Sequence, residues 1–467
     1  MLHAAPFHVV WPHSGASALA PAPRPHMLCL SPACAKPNLE AFRGSGKTCP
    51  FGSGPVRRQR GAPPRPASCQ PANRVPRGEA RTRTGHGAGR AIWGGVMVPP
   101  VGCRASAGPA PGGLSDERAV GYTASMTELR IGTLTMPAAD LGPPNPLPPL
   151  DAPRNESTRW LARSFTAALP AEKRAYLAAD GALPHRLQDD YSRSRKPRTF
   201  RTAVLENDLL RATFLLERGG RLWSLLDTAR DRELLHVNPV FQPANLALRN
   251  AWFSGGVEWN VSVRGHAAHG CQPLYAACLE DEVVGPVLRL YEWDRTRGVP
   301  YQMDFCLRDG SPWLFARIRL ANPHDFTIPM YWWSNMAVPE RDDLRVLAPA
   351  EHFWRRGYAR GELTASPIQE PSKPDMTRPI NYTSGSCDAY FAVSPQRRPW
   401  AAAIYGGGTG LFHASTARLY GRKMFVWGQT PGGRRWQEFL SPGGEPYVEL
   451  QAGLARTQAE YAAMPPG

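Results

Sequence analysis

Four side chains have the character needed to move protons: Glu258, Glu292, Glu449 and His266. Each glutamate stands among aromatic and amide neighbours. Glu258 lies in Asn250-Ala251-Trp252-Phe253-Ser254-Gly255-Gly256-Val257-Glu258-Trp259-Asn260, which leads to Arg264-Gly265-His266. Glu292 lies in Tyr291-Glu292-Trp293-Asp294-Arg295, and Glu449 in Tyr447-Val448-Glu449-Leu450-Gln451. Two further clusters, Tyr331-Trp332-Trp333-Ser334-Asn335 and Phe425-Val426-Trp427-Gly428-Gln429 with Trp436 beyond, have the same texture. Flat aromatic faces stack on the C–H faces of a pyranose, and planar amides and carboxylates bond its hydroxyls. These clusters therefore point to a saccharide ligand, with Trp259, Asn260, Trp293, Trp332, Trp333, Asn335, Trp427 and Gln451 as candidate contacts.

Acid–base work on such a ligand takes one of two forms. An epimerase needs a base for the anomeric hydroxyl and an acid for the ring oxygen, with pKa values near the working pH, which suits a His and a partly desolvated Glu. A glycoside hydrolase needs two carboxylates flanking the bond, their separation setting the stereochemical outcome. Spacing along the chain leaves both open. Each Trp also has an ordinary alternative as core, and each Glu as the partner of a surface Arg. Trp332 and Trp333 are adjacent, so on a strand they face opposite ways.

Other motifs carry less. His266 and His269 form an H-x-x-H pair near Cys271, but no third ligand follows at a standard spacing, so no metal is assigned. Gly44-Ser45-Gly46-Lys47-Thr48 resembles the end of a phosphate-binding loop, yet Ala41 stands where the first glycine belongs and no strand precedes it. No cofactor is implied.

The elements that must position these residues are short strands. Apolar residues alternate in Leu210–Leu216, and Gly219-Gly220 turns the chain into Leu222–Leu226. Tyr301–Leu307 and Trp313–Leu320 flank Asp309-Gly310, a hairpin signal. Further strands are predicted at Leu288–Trp293, Ile328–Val338, Ala389–Val393, Trp400–Tyr405 and Tyr447–Leu454. Many strands with few helices predict a mainly β sandwich or barrel over residues 199–467. Residues 126–198 read as a lead-in, Pro-rich at Pro144–Pro149 and helical around Thr158–Ala168 and Ala171–Ala179.

Residues 1–125 differ in kind. They hold 15 Lys and Arg against 4 Asp and Glu, and so carry +11 of the formal +16. That concentration removes the case for a nucleic-acid partner of the folded part. Rich in Pro, Gly, Ala and Arg, the stretch is expected to be disordered, or to be text upstream of a start at Met126 or Met97. No run of about 18 apolar residues occurs, so no membrane partner is expected. Four cysteines outside this stretch (Cys271, Cys278, Cys306, Cys387) show no paired framework, which fits reduced thiols in the cytoplasm.

Leu205–Leu209, Glu217–Leu225 and Arg232–His236 resemble the opening strands of galactose-mutarotase-like domains. Gly255–Asn260, Tyr331–Asn335 and Tyr447–Gly453 are similar to a narrower bacterial group, the domain-of-unknown-function family 5107. The resemblance runs from about Arg198 to the C-terminus. It implies an antiparallel β-supersandwich with a carbohydrate cleft on its concave face. It further implies Glu449 as catalytic base and His266 as the nearest match to the acid. Members of that group often carry tetratricopeptide repeats after this domain, a region absent from this chain, which stops at Gly467. The function expected is saccharide binding with glycoside hydrolase-like or aldose epimerase-like chemistry. The alternatives are a non-catalytic carbohydrate-binding module or a structural or interaction domain.

Overall fold

A computed structural model describes residues 7–12, 126–147, 184–357 and 363–467. Antiparallel strands dominate. In chain order they are β1 Phe7–Pro12, β2 Glu128–Ala139, β3 Arg195–Glu206, β4 Leu210–Leu215, β5 Arg221–Asp227, β6 Arg232–Glu233 and β7 Val257–Val261. Next come β8 Tyr275–Asp281, β9 Gly285–Asp294, β10 Val299–Cys306, β11 Leu314–Leu320, β12 Ile328–Met330, β13 Trp332–Pro339 and β14 Arg345–Leu347. The last are β15 His352–Gly357, β16 Leu363–Pro367, β17 Cys387–Phe391, β18 Trp400–Ile404, β19 Gly410–Ser415, β20 Gly421–Val426, β21 Tyr447–Gly453 and β22 Ala462–Met464. A helix, α1 (Pro431–Leu440), separates β20 from β21.

Two large sheets result. A 12-stranded sheet runs β16-β15-β17-β20-β21-β13-β7-β5-β4-β3-β2, with β6 added at β5; an 8-stranded sheet runs β14-β18-β19-β1-β11-β10-β9-β8. They pack face to face. Leu288, Leu290, Met303 and Phe305 of the smaller sheet meet Val257, Trp332, Met336, Met424 and Leu450 of the larger one in a single core. Successive side chains of a strand point to opposite faces, so Val448, Leu450 and Ala452 of β21 enter this core while Glu449 and Gln451 must leave it. The outer face of the larger sheet is nevertheless buried too: Glu258, Asn335, Lys423 and Glu449 are all under 10% exposed. This second, polar interior holds the candidate site.

The strands expected from alternation are present, and Asp309-Gly310 joins paired β10 and β11, with Gly310 at φ +60°. Three readings change. Glu128–Ala139 was expected in a Pro-rich lead-in; it is a strand that pairs with β3 over its whole length, Glu128 opposite Glu206 and Ala139 opposite Arg195. Alternating Ile131, Thr133 and Thr135 carry the β-branched character that favours it. Phe7–Pro12, inside the stretch expected to be disordered, is a strand between β11 and β19; Phe-His-Val-Val-Trp is aromatic and β-branched where its surroundings are Pro- and Ala-rich. The rest of residues 1–125 and the helical stretches around Thr158–Ala168 and Ala171–Ala179 lie outside the described residues. Finally, α1 was not foreseen. Thr430 caps it, its Oγ1 accepting from Gly433 N at 3.2 Å, and Pro431 takes the first helical position, where no N–H is needed. Among the described residues no helix is long and apolar enough to cross a membrane.

Candidate functional site

One row of side chains crosses six strands of the larger sheet. Register places Glu258 (β7) opposite Asn335 (β13), Asn335 opposite Gln451 (β21), Gln451 opposite Lys423 (β20), Lys423 opposite Tyr390 (β17) and Tyr390 opposite Trp354 (β15). The next rows on the same face bring Asn260 opposite Trp333, and Glu449 opposite both Ala337 and Phe425. Sequence-distant residues thus share one polar surface because each strand alternates in phase with its neighbour.

Glu258 is the hub. Its Oε2 accepts from His266 Nδ1 at 2.8 Å, Asn260 Nδ2 at 3.0 Å and Asn335 Nδ2 at 3.0 Å. Arg221 approaches Oε1 at 3.5 Å, and both side chains are buried. Burial alone would raise this carboxyl. The charge and hydrogen bond of His266, the charge of Arg221 and the Asn260 amide outweigh it and bring the pKa down to about 2. Arg221 also fixes the chain around the hub. Its Nη1 donates to Phe253 O and Gly255 O, each at 2.9 Å, and its guanidinium stacks 3.8 Å over the Phe253 ring. The turn it grips needs its glycines: Gly255 and Gly256 sit at φ +101° and +64°, and a Cβ on Gly256 would meet Leu222 O at 2.2 Å. After β7 the chain folds back over the hub. Ala267 N donates to Asn260 Oδ1 at 2.7 Å and Gly265 N to the Tyr331 hydroxyl at 3.3 Å, which sets His266 against Glu258 and beside the Trp252 ring at 5.0 Å.

Glu449 occupies a different environment. Its Oε2 accepts from Gln451 Nε2 at 2.6 Å, and Gln451 Oε1 accepts from Trp333 Nε1. Burial raises the Glu449 carboxyl above its ordinary value; the charges of Lys423 and His266 pull it back, and that of Glu258 pushes it up again. Lys423 itself is buried and bonded to Asp388 Oδ1 and Gln458 Oε1, each at 2.6 Å. The face therefore carries two carboxyls shifted in opposite directions. Three buried polar atoms around them (Glu258 Oε1, Asn335 Oδ1 and Trp252 Nε1) have no protein hydrogen-bond partner among the described residues.

Of the residues singled out in the sequence, Glu258, His266, Glu449, Asn260, Trp333, Asn335 and Gln451 converge here. Trp427 lies at the border, stacked on Trp436 at 5.8 Å and edge-on to Phe425 at 4.9 Å. Four others do not join them. Trp259 and Trp332 point into the core between the sheets, because they alternate with Glu258 and Trp333; Trp259 Nε1 donates to Gly220 O and its ring packs on Phe305 at 5.2 Å. Glu292 and Trp293 belong to β9 of the other sheet, where Glu292 Oε1 accepts from Trp293 N at 2.7 Å. His269 turns away from His266 to lie edge-on to His185 at 5.1 Å, and no group of three metal-ligating side chains forms among the described residues. Sequence reading missed Arg221, Lys423 and Asp388. Their signal was a charged residue at an alternating position within an apolar strand.

Comparison with solved structures gives the same architecture in a TPR-domain containing protein from Parabacteroides distasonis, with 19% identity and a TM-score of 0.60 over 74% of this chain and 54% of that one. This chain thus spans about half the length of that protein. A galactose mutarotase-like protein from Clostridium acetobutylicum matches with 9% identity and a TM-score of 0.41 over 57% of this chain and 91% of that one. A galactose mutarotase related enzyme from Lactobacillus acidophilus matches with 11% identity and a TM-score of 0.37 over 57% and 93%. Residues 178–464 match the family model described as domain of unknown function DUF5107, and the chain belongs to that family.

Proposed function

We propose that the polar face of the larger sheet binds a reducing sugar and interconverts its anomers by acid–base catalysis. The observation that carries this reading is the pairing of a His266 anchored to an ionised Glu258 with a Glu449 whose desolvation raises its pKa, on one face of one sheet. A carboxylate fixed at Nδ1 stabilises the imidazolium and leaves Nε2 as the nitrogen for the ligand, the logic of a base–orienter pair. A glutamate lifted towards the working pH is matched to take a proton.

In the proposed reaction Glu449 accepts the proton of the anomeric hydroxyl while His266 donates one to the ring oxygen. The bond from the anomeric carbon to the ring oxygen breaks and an aldehyde forms. Rotation of the aldehyde and the reverse transfers close the other anomer, returning both protons. Asn260, Asn335, Gln451 and the unpaired atoms around Glu258 would meet the hydroxyls, with Trp333 and Trp252 along the ring faces. Oppositely shifted carboxyls also suit a glycoside hydrolase. Glu258 is a poor nucleophile in that role, since its Oε2 already accepts three hydrogen bonds and its Oε1 faces Arg221.

Anomeric exchange of a panel of aldohexoses and aldopentoses, followed by magnetisation-transfer NMR, tests the reading. Wild-type protein should accelerate at least one exchange, and Glu449→Gln and His266→Asn should each lower kcat by about 10²–10⁴-fold. Exchange at the uncatalysed rate throughout, or a Glu449→Gln protein as fast as wild type, would reject it. The burial of Glu258, Asn335, Gln451, Lys423 and Tyr390 favours a second reading, saccharide recognition without turnover. Binding of an aldose with no faster exchange would select that one.

A further inference from the structure

Glu292 and Trp293, left out of the polar face, lie beside a different feature. The outward face of the 8-stranded sheet carries a row across β8, β9, β10 and β11: Tyr275 opposite Tyr291, Tyr291 opposite Gln302, Gln302 opposite Arg319. Trp293 stands two residues along β9 on the same face. Most outward positions of a sheet are polar, yet Tyr275, Tyr291 and Trp293 are 61%, 43% and 58% exposed. Adjacent exposed aromatics of this size mark a binding surface rather than scattered solvent-facing residues. They line a cavity of about 820 Å³ together with Gln302 and Arg319.

The arrangement is specific. Tyr275 and Tyr291 stack with centroids 5.4 Å apart and planes 19° from parallel, so each covers part of one face of the other and the outer ring faces stay open to solvent. Trp293 extends the aromatic surface by about 7 Å along the strand. At the far side of the row, Asp304 holds Gln302 Nε2 at 2.8 and 3.0 Å and grips Arg289 with both oxygens at 2.7 and 2.8 Å. The Gln302 amide is thereby fixed through its Nε2, and Gln302 lines the cavity with Arg319, its cross-strand partner. No Leu, Ile, Val or Met lines this cavity among the described residues. A concave site of this volume, with parallel rings on one side and an oriented amide and guanidinium on the other, matches a ligand that is flat and apolar on its faces and hydroxyl-rich at its edges.

We propose that this outer face is a second saccharide site, separate from the polar face, on which successive pyranose rings of an oligo- or polysaccharide stack over Tyr275, Tyr291 and Trp293 while Gln302 and Arg319 bond their hydroxyls. It stands independently of the reaction proposed for Glu449 and His266.

The test is affinity electrophoresis of the full chain in native gels containing soluble xylan, mixed-linkage β-glucan, galactomannan or amylopectin, with sedimentation velocity alongside. Wild type should be retarded by at least one polymer. Tyr291→Ala/Trp293→Ala, both exposed and so expected to fold, should weaken that retardation at least about tenfold, the loss of two stacked rings. Glu449→Gln, on the other sheet, should leave it unchanged. The proposal is overturned if wild type migrates identically in all gels, or if the double variant binds as well as wild type. It is also overturned if Glu449→Gln abolishes retardation, or if the double substitution instead dissolves a wild-type dimer. Aldose exchange is measured on monosaccharides at the polar face, so its failure would leave this result intact, and the reverse holds too.

Discussion

Replacing Glu258 by Gln changes one atom and should cost several kcal/mol. The charge it removes is the counter-ion of Arg221, which is 3% exposed. It is also the acceptor shared by His266, Asn260 and Asn335. Taking one partner from a buried pair typically costs 3–5 kcal/mol, because the other charge stays buried without compensation. A second route gives a similar size. A pKa of about 2 against an ordinary 4.5 corresponds to about 3 kcal/mol of stability at neutral pH. The sign is fixed by the direction of the shift. A depressed carboxyl stabilises the fold fully above its unfolded pKa and loses that contribution as pH falls through the folded one, so the window here lies between about pH 4.5 and 2.

Urea unfolding of wild type and Glu258→Gln at pH 7 and at steps down to pH 3.5 measures both quantities. At pH 7 the variant should be less stable by about 3 kcal/mol, a fall in Tm of roughly 4–6 °C for a domain of this size. By pH 3.5 the gap should narrow by about 1 kcal/mol, as wild type gives up part of the contribution the variant never had. Equal midpoints at pH 7, or parallel pH profiles offset by a constant, would refute the assignment of Glu258 as a buried, ionised hub.

Two further outcomes follow from the same face. Glu449→Gln should be at least as stable as wild type at pH 8, with the advantage shrinking towards pH 4.5. A raised carboxyl adds stability that is fully present below its unfolded pKa and is lost as pH rises through the folded one; thermal melts at the two pH values check this. Gly453→Ala should destabilise by about 1–3 kcal/mol and alter tryptophan fluorescence, since a Cβ there would lie 1.6 Å from Cε3 of Trp333.

The sheet was legible in the sequence because its inner face is conventional. Alternation in β4, β13 and β21 follows the rule that one face of a strand is apolar, and the pairs of the core obey it. The site was half legible. Clusters such as Trp252–Asn260 and Tyr331–Asn335 name the right strands, but neighbours within a strand face opposite ways. Glu258 and Trp333 therefore reach the polar face while Trp259 and Trp332 reach the core. Composition also cannot say which sheet a strand joins, so Tyr291-Glu292-Trp293 looked like a member of the same site and lies on another surface. Arg221 and Lys423 were hidden for the converse reason. A cation at the start of an apolar strand reads as a surface residue until the register puts Lys423 beside Gln451 and Tyr390.

Stability does not account for this second interior. Glu258 with Arg221 and Asp388 with Lys423 are ion pairs taken wholly out of water. Apolar residues of equal volume in such places are often neutral or better for stability. Glu449 goes further, since its burial disfavours the charged form of its carboxyl. The contradiction is mostly local: β7, β17 and β21 satisfy the ordinary pattern on the inner face and break it on the outer one, while β20 also buries Arg422 on its inner face. Several charged groups kept at such a cost on one contiguous face are what the proposed chemistry or recognition would require, and holding the sheet does not require them. A Glu449→Gln protein that gains stability while losing the sugar reaction would join both halves of that reasoning in a single variant.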